Sequence, residues 1–158
     1  PLVSEEQLNT VLRCIQSGID EGAELLLGGK RAEEEPLKRG FFVKPTIFGN
    51  VADDMTIAKE EIFGPVICVM PFEDMDEVIE RANATDYGLV AGVWTTDMGK
   101  VHRMIDELQA GTVWVNTYGN LSNSMPFGGY KQSGIGREND RDAIDLYTQE
   151  KSVWINWE

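Results

Sequence analysis

Seven consecutive residues, Lys59-Glu60-Glu61-Ile62-Phe63-Gly64-Pro65, set two carboxylates and an aromatic ring beside a Gly-Pro turn, immediately before an apolar run. A carboxylate at the end of a rigid element can accept hydrogen bonds from two neighbouring hydroxyls of a sugar, and a phenyl ring two residues on can pack against a flat ring system. Together these are the parts of a cofactor site. Taken alone, such a turn is more often a solvated Glu beside a core Phe, since most charge on a protein is surface charge.

A second stretch with chemical content starts at Asn116-Thr117-Tyr118 and runs to Pro126-Phe127-Gly128-Gly129-Tyr130-Lys131-Gln132-Ser133-Gly134-Ile135-Gly136-Arg137-Glu138. Thr117 to Arg137 holds five glycines and one proline, too many for a helix or central strand, and long ordered loops of this kind tend to carry function. Phe127, beside Pro126, needs a pocket to fill, either a ligand cavity or a packing site. Gly134-Ile135-Gly136 is not a dinucleotide fingerprint, because the third glycine is absent at the right spacing and no strand directly precedes it. A phosphate loop fails too, since Lys131 precedes Gly134 where the lysine should follow the glycine.

Other reactive side chains read as structural. Cys14 and Cys68 have no metal or redox spacing and are expected to be buried free thiols. His102, the only histidine, has no second histidine for zinc, so no metal site is expected. The acidic residues at 53, 54, 73, 74, 76 and 77 lack the calcium-loop pattern and suit helix N-termini. Asn83-Ala84-Thr85 and Asn120-Leu121-Ser122 match the glycosylation pattern by chance.

The elements that must position these residues are legible from periodicity. Ser4-Glu5-Glu6-Gln7 has capping-box form, and Leu8, Val11, Leu12, Ile15 and Ile19 share one helical face, predicting a helix from residue 4 to about 21, ended by Gly22. Leu25-Leu26-Leu27 reads as a strand, the region of Glu33 to Pro36 as an exposed loop, and residues 41 to 48 as extended chain. From Pro65 the pattern is β-α-β-α-β, with strands at Val66 to Met70, Leu89 to Trp94 and Thr112 to Asn116, so that Trp94 and Trp114 are expected in the core. Such strands favour an open, mostly parallel sheet with covering helices and ligands beyond the carboxyl ends of the strands. Arg141 to Tyr147 reads as a short helix, and Ser152 to Trp157 alternates like a strand whose exposed edges invite another chain.

Composition limits the partners. The 158 residues suit one globular domain, which would bury roughly two thirds of its unfolded surface. A formal net charge of -13 repels phosphate backbones and anionic headgroups, so no nucleic-acid and no membrane partner is expected. With no secretion signal and no apolar run near the roughly 20 residues that cross a bilayer, a cytoplasmic protein is the expectation.

The Glu-Ile-Phe-Gly-Pro segment, Asn116-Thr117-Tyr118 and the Pro126 to Glu138 run together closely resemble the aldehyde dehydrogenase superfamily, and nearly the whole chain is similar to its C-terminal third. The resemblance implies an α/β fold forming part of the catalytic domain over residues 1–137, with a helix and terminal oligomerisation strand over 138–158. It implies that Glu61 holds the hydroxyls of the nicotinamide ribose and Phe63 contacts the nicotinamide side of NAD or NADP. By the same resemblance Asn120 and Leu121 line the aldehyde tunnel and Phe127 forms an aromatic wall near the reacting carbon. Homodimeric or homotetrameric assembly follows as an expectation.

Members of that superfamily use a cysteine thiolate as nucleophile and a glutamate as base, and both are expected upstream of this chain, as is the dinucleotide-binding domain. Neither Cys14 nor Cys68 stands in the nucleophile motif, so no catalytic residue is assigned here. The chain reads as a fragment, inactive by itself and binding no cofactor tightly. The parent would oxidise a small aldehyde to a carboxylic acid; the mixed polar and apolar wall of Asn120 and Leu121 is compatible with a polar substrate such as betaine aldehyde. The alternative is a non-catalytic binding or oligomerisation module derived from this fold.

Overall fold

The computed structural model describes residues 1–158, which pack as two compact units, Pro1–Glu73 and Asp74–Glu158. In the first unit, α1 (Glu5–Asp20) starts where Ser4 Oγ accepts the Gln7 N–H at 3.1 Å, with Glu5 and Glu6 in the first turn complementing the helix dipole. It ends where Gly22, at φ +95°, turns left-handed. There the Gly22 N–H bonds to Ile19 O and the Ala23 N–H to Gly18 O, the pairing of a glycine-terminated helix.

Leu8, Val11 and Ile15 project from one face of α1 and are fully or almost fully buried, because they are spaced to share one side of a 3.6-residue turn. They pack with Phe48, Val43, Val51 and Ile57 in the core of this unit. Each such side chain contributes about 1.5–3 kcal/mol relative to leaving it in water. Phe48 lies in the central strand of a three-stranded sheet in which β1 (Glu24–Leu27) is antiparallel to β2 (Thr46–Gly49) and β2 is parallel to β3 (Val66–Cys68). Thr46, the buried polar residue of β2, is satisfied: its hydroxyl donates to Lys44 O at 2.8 Å and accepts the Gly29 N–H at 2.9 Å.

The same helix holds α2 (Thr56–Lys59). The Glu21 carboxylate, at the end of α1, accepts both the Thr56 N–H and its hydroxyl at 2.6 Å, capping a helix whose own preceding residue, Met55, supplies no side-chain cap. One turn inward Gly18 faces Ile57, and a Cβ on Gly18 would lie 2.8 Å from Ile57 Cδ1.

In the second unit, α3 (Met75–Asn83) is capped by Asp74, which accepts the Glu77 N–H at 2.9 Å. Asp76 and Glu77 follow in its first turn, as the dipole favours. β4 (Tyr87–Gly88) and β5 (Val90–Val93) lead to α4 (Met98–Glu107), capped by Asp97, and then to β6 (Thr112–Val115). β5 and β6 run parallel from Val90↔Thr112 to Val93↔Val115, and β4 pairs antiparallel with β7 (Tyr130–Lys131). Arg103 joins the helices by pairing with Asp76 and Glu107. Asn83 joins their C-terminal ends, donating to Glu107 O and accepting the Gln109 N–H, both at 2.8 Å.

Four sequence expectations change. β3 pairs with β2, whereas β5 and β6 form their own two-stranded sheet, so the β-α-β-α-β run is divided between ladders. Trp94 is 64% exposed, because β5 stops at Val93 and the indole folds back over Gly92, where a Cβ would lie 2.7 Å from the ring. Cys14 and Cys68 are free as expected but only half-buried. Arg141–Tyr147 is a 3-10 helix, and residues 148–158 form neither helix nor strand.

The double bond from Thr56, first through its hydroxyl and then through its N–H, holds the Glu21 carboxyl below the usual carboxylate range. A depressed folded pKa stabilises the fold above the unfolded value, about 4.3 for a glutamate, and that stabilisation is lost as pH falls through the lowered folded value. Glu21→Gln should therefore melt below wild type at pH 7, with the gap closing on acidification through that window. Thermal unfolding from pH 7 to 3 checks this, and a gap independent of pH would remove the carboxylate from the interaction.

Candidate functional site

Residues 60–65 leave α2 as irregular chain and enter β3. The Glu60 N–H bonds back to Thr56 O at 2.9 Å, and Pro65 O accepts the Thr46 N–H at 2.8 Å, so both ends of the segment are tied to regular structure. Between them Phe63 adopts φ +52°, a left-handed conformation that costs an ordinary residue on the order of 1–2 kcal/mol. Two contacts from α1 meet this turn. Gln7 Nε2 donates to Ile62 O at 3.0 Å and Phe63 O at 3.2 Å, and a Cβ on Gly64 would lie 2.6 Å from Val11 Cγ2.

The turn sends both predicted cofactor side chains outward. Glu61 is exposed, with both carboxylate oxygens free to accept hydroxyl donors, and the Phe63 ring is 74% exposed. They line an open depression of about 540 Å³ together with Ile57, Glu60 and Cys68. A free acceptor pair beside a bare aromatic ring on one concave surface fits a ribose joined to a planar base. Cys68 does not read as a nucleophile, since burial pushes its thiol pKa up and Sγ donates to Ile57 O at 3.4 Å.

Asn120, Leu121 and Phe127 lie in the second unit, on the loop that follows β6. Asn116, at φ +52°, opens that loop: its N–H bonds to Val93 O at 2.8 Å, its Oδ1 accepts the Thr95 N–H at 3.0 Å, and its Nδ2 donates to Thr95 O at 2.9 Å. The side chain thus mimics one more rung of the β5–β6 ladder, and the chain is free to turn away. Trp114 is half-buried and faces the loop, donating its indole N–H to Asn120 O at 2.8 Å with Tyr118 edge-on to its ring at 4.8 Å. The Asn120 amide donates to Thr117 Oγ1 at 2.7 Å, while Leu121 is 60% exposed beyond this turn.

At the far end of the loop Phe127 is half-buried and exchanges backbone hydrogen bonds of 2.8 and 2.7 Å with Glu138. Arg137 fastens the strand-like return by donating to Gly129 O at 2.9 Å and Gly136 O at 2.7 Å, with its guanidinium 5.5 Å from the centre of the Tyr130 ring. Lys131 reaches the C-terminal end of α3, donating to Asn83 O and Thr85 O, where a cation suits the helix dipole. Gly111 and Gly128 are in contact: a Cβ on Gly111 would fall 1.6 Å from Gly128 O. These glycines serve close packing of backbone on backbone.

Sequence reasoning gave Gln7 to its own helix cap and Trp114 to the core, and gave Glu21 and Arg137 no role. The available signal for Gln7 was the capping-box spacing, which pointed to its own helix.

Residues 1–153 match the aldehyde dehydrogenase family. The chain belongs to that family. It resembles the NAD+ complex of an aldehyde dehydrogenase from Bacillus cereus with a TM-score of 0.92 and 55% identity, covering 100% of this chain and 31% of that one. It is 52% identical to a mitochondrial aldehyde dehydrogenase of Leishmania tarentolae over 97% of its length, and 51% identical to a betaine aldehyde dehydrogenase of Agrobacterium fabrum (strain C58) over 99%. The chain spans about 30% and 31% of those two enzymes respectively.

The Asn116 contact gives a test within this unit. Replacing Asn116 by Ala loses two hydrogen bonds and keeps the unfavourable φ, an expected cost of about 1–2 kcal/mol. Asn116→Gly loses the same bonds but relieves the backbone, so it should be the more stable of the two by about 0.5–1 kcal/mol. Chemical denaturation of both variants checks the order, and a more stable alanine variant would contradict it.

Proposed function

We propose that this chain is the C-terminal third of an NAD(P)-dependent aldehyde dehydrogenase that oxidises a small aldehyde to its carboxylic acid. The observation that carries the reading is the outward presentation of Glu61 and Phe63 from the Glu-Ile-Phe-Gly-Pro turn, with Glu61 unpaired and the ring bare. Glu61 would accept the hydroxyls of the nicotinamide ribose, and Phe63 would flank the nicotinamide. When bound, the cofactor supplies the hydride acceptor. This chain's share of the work is to orient: a carboxylate on two hydroxyls limits rotation of the ribose, and that restraint is what positioned reactants need.

Asn120, Leu121 and Phe127 would form part of the aldehyde tunnel, with Leu121 supplying apolar surface and Phe127 an aromatic wall. The exposed Asn120 beside Leu121 supports a polar aldehyde of the betaine-aldehyde kind. The nucleophilic cysteine, the general base and the dinucleotide-binding domain would come from the rest of the parent, so the 158 residues alone should neither turn over aldehyde nor bind NAD(P) tightly. No helix is long and apolar enough to cross a membrane, and this with the acidic charge supports a cytoplasmic protein.

In the full-length enzyme Glu61→Gln should slow hydride transfer about tenfold to a thousandfold at about 1.4 kcal/mol per decade, because a donor would face the ribose hydroxyls. Phe127→Ala and Leu121 variants should instead change the order of preferred aldehydes with little effect on cofactor affinity. Single-turnover kinetics with a panel of aldehydes reads both arms. Wild-type hydride transfer in Glu61→Gln, or turnover by the 158-residue chain alone, would sink the assignment.

Residues 138–158 would serve assembly into a homodimer or homotetramer. Val153, Trp154, Ile155 and Trp157 are all more than half exposed, an apolar load that supports pairing of Ser152 to Trp157 with a strand outside this segment. Deleting residues 152–158 from the full-length enzyme should lower its mass in sedimentation, and an intact oligomer would show that the segment plays no such part.

A further inference from the structure

We infer that Gln7 is a positioning residue for the cofactor turn: by donating from its amide nitrogen to both Ile62 O and Phe63 O, it holds Phe63 left-handed and so sets where Glu61 and Phe63 stand. The inference rests on the cofactor role proposed for those two side chains. In extended chain, successive carbonyls point to opposite sides, whereas a helical twist at the residue between them turns both to one side. Ile62 O and Phe63 O flank the two soft dihedrals of Phe63, so one NH2 group can reach both when Phe63 is twisted rather than extended, and here the twist is left-handed, at φ +52°. An aromatic L-residue does not choose that hand unaided.

Gln7 is the third residue of α1, where a Ser-x-x-Gln sequence would return the side chain to the Ser4 N–H. Here Ser4 caps the helix through Gln7 N, and the Gln7 amide goes to a segment more than 50 residues away. Val11 lies one turn along the same face and meets Gly64, so the turn is gripped at two consecutive points of a rigid helix. The Gln7 amide bonds to backbone carbonyls, and its effect on Glu61 and Phe63 is transmitted through the chain they hang on.

Gln7→Met keeps the length and removes the donor; Gln7→Glu keeps the shape and turns an acceptor toward two carbonyls. In the full-length enzyme without cofactor, both should speed amide exchange across residues 61–66 about fivefold or more, leaving exchange in the middle of α1 unchanged. With NAD+ and aldehyde, single-turnover hydride transfer should fall about tenfold in Met and further in Glu, while the KM for aldehyde holds. Unchanged exchange at 61–66, a Glu variant equal to wild type, hydride transfer at the wild-type rate, or faster exchange spread evenly through α1 would each overturn the inference. Glu61→Gln run alongside separates the two readings. If it leaves hydride transfer intact, the cofactor assignment fails, while exchange at 61–66 still decides whether Gln7 holds the turn.

Discussion

The contact between α1 and the segment from Thr56 to Gly64 is the constraint on which the first unit depends. Four points along the helix and its C-cap meet that segment: Glu21 at Thr56, Gly18 at Ile57, Val11 at Gly64 and Gln7 at Ile62 and Phe63. The middle of this seam is apolar and buried, and its ends are polar and more open to solvent. Packing therefore fixes the distance between helix and segment, while hydrogen bonds fix the register and the backbone turn. A one-residue slip would set Ile57 against a side chain larger than Gly18 and strand the Glu21 and Gln7 partners together.

The second unit positions its loop by different means. Only Ile79, Val93 and Val101 are buried apolar residues there, so packing supplies less of the constraint. Side chains bonded to backbone take over. Asn116 extends a sheet by one rung, Asn83 ties two helix ends, Arg137 closes the glycine-rich return, and Lys131 fastens that return to α3. The glycines between them are required by close backbone approach at Gly111 and Gly128.

What could be read in the sequence was local. The ends of α1 were legible because a Ser cap and a left-handed Gly act within one turn of their own positions, and the acidic starts of α3 follow the same logic. Partnership over distance was not legible. Ser-x-x-Gln has one appearance whether the glutamine returns to its cap or crosses to residue 62, and the apolar run at Val66 gives no sign that its neighbour is β2. Trp94 was misplaced because it alternates with buried Val93 and so takes the exposed face of Gly92. The alternating 152–157 segment has the pattern of a strand, but a strand exists only with a neighbour, and none is supplied within the chain.

The ties within the loop after β6 are unequal in what they demand of the sequence. Its two ends are held by particular side chains and glycines, whereas the longer-range ties of its tip run to main-chain carbonyls, Asn120 O from the Trp114 indole and Asn123 O from the Asp140 N–H at 3.0 Å, beside short-range side-chain bonds from Asn120 to Thr117 and between Ser122 and Ser124. Every amino acid carries a carbonyl. The ties that join the tip to the rest of the unit thus ask little of the residues that accept them, and the side-chain requirements are confined to the short bonds among Thr117, Asn120, Ser122 and Ser124. Length is nearly as permissive, since doubling a flexible loop costs only about 0.6 kcal/mol in closure entropy. A scaffold built this way can exchange the exposed side chains of its tip, Leu121 among them, while the ends of the loop stay where they are.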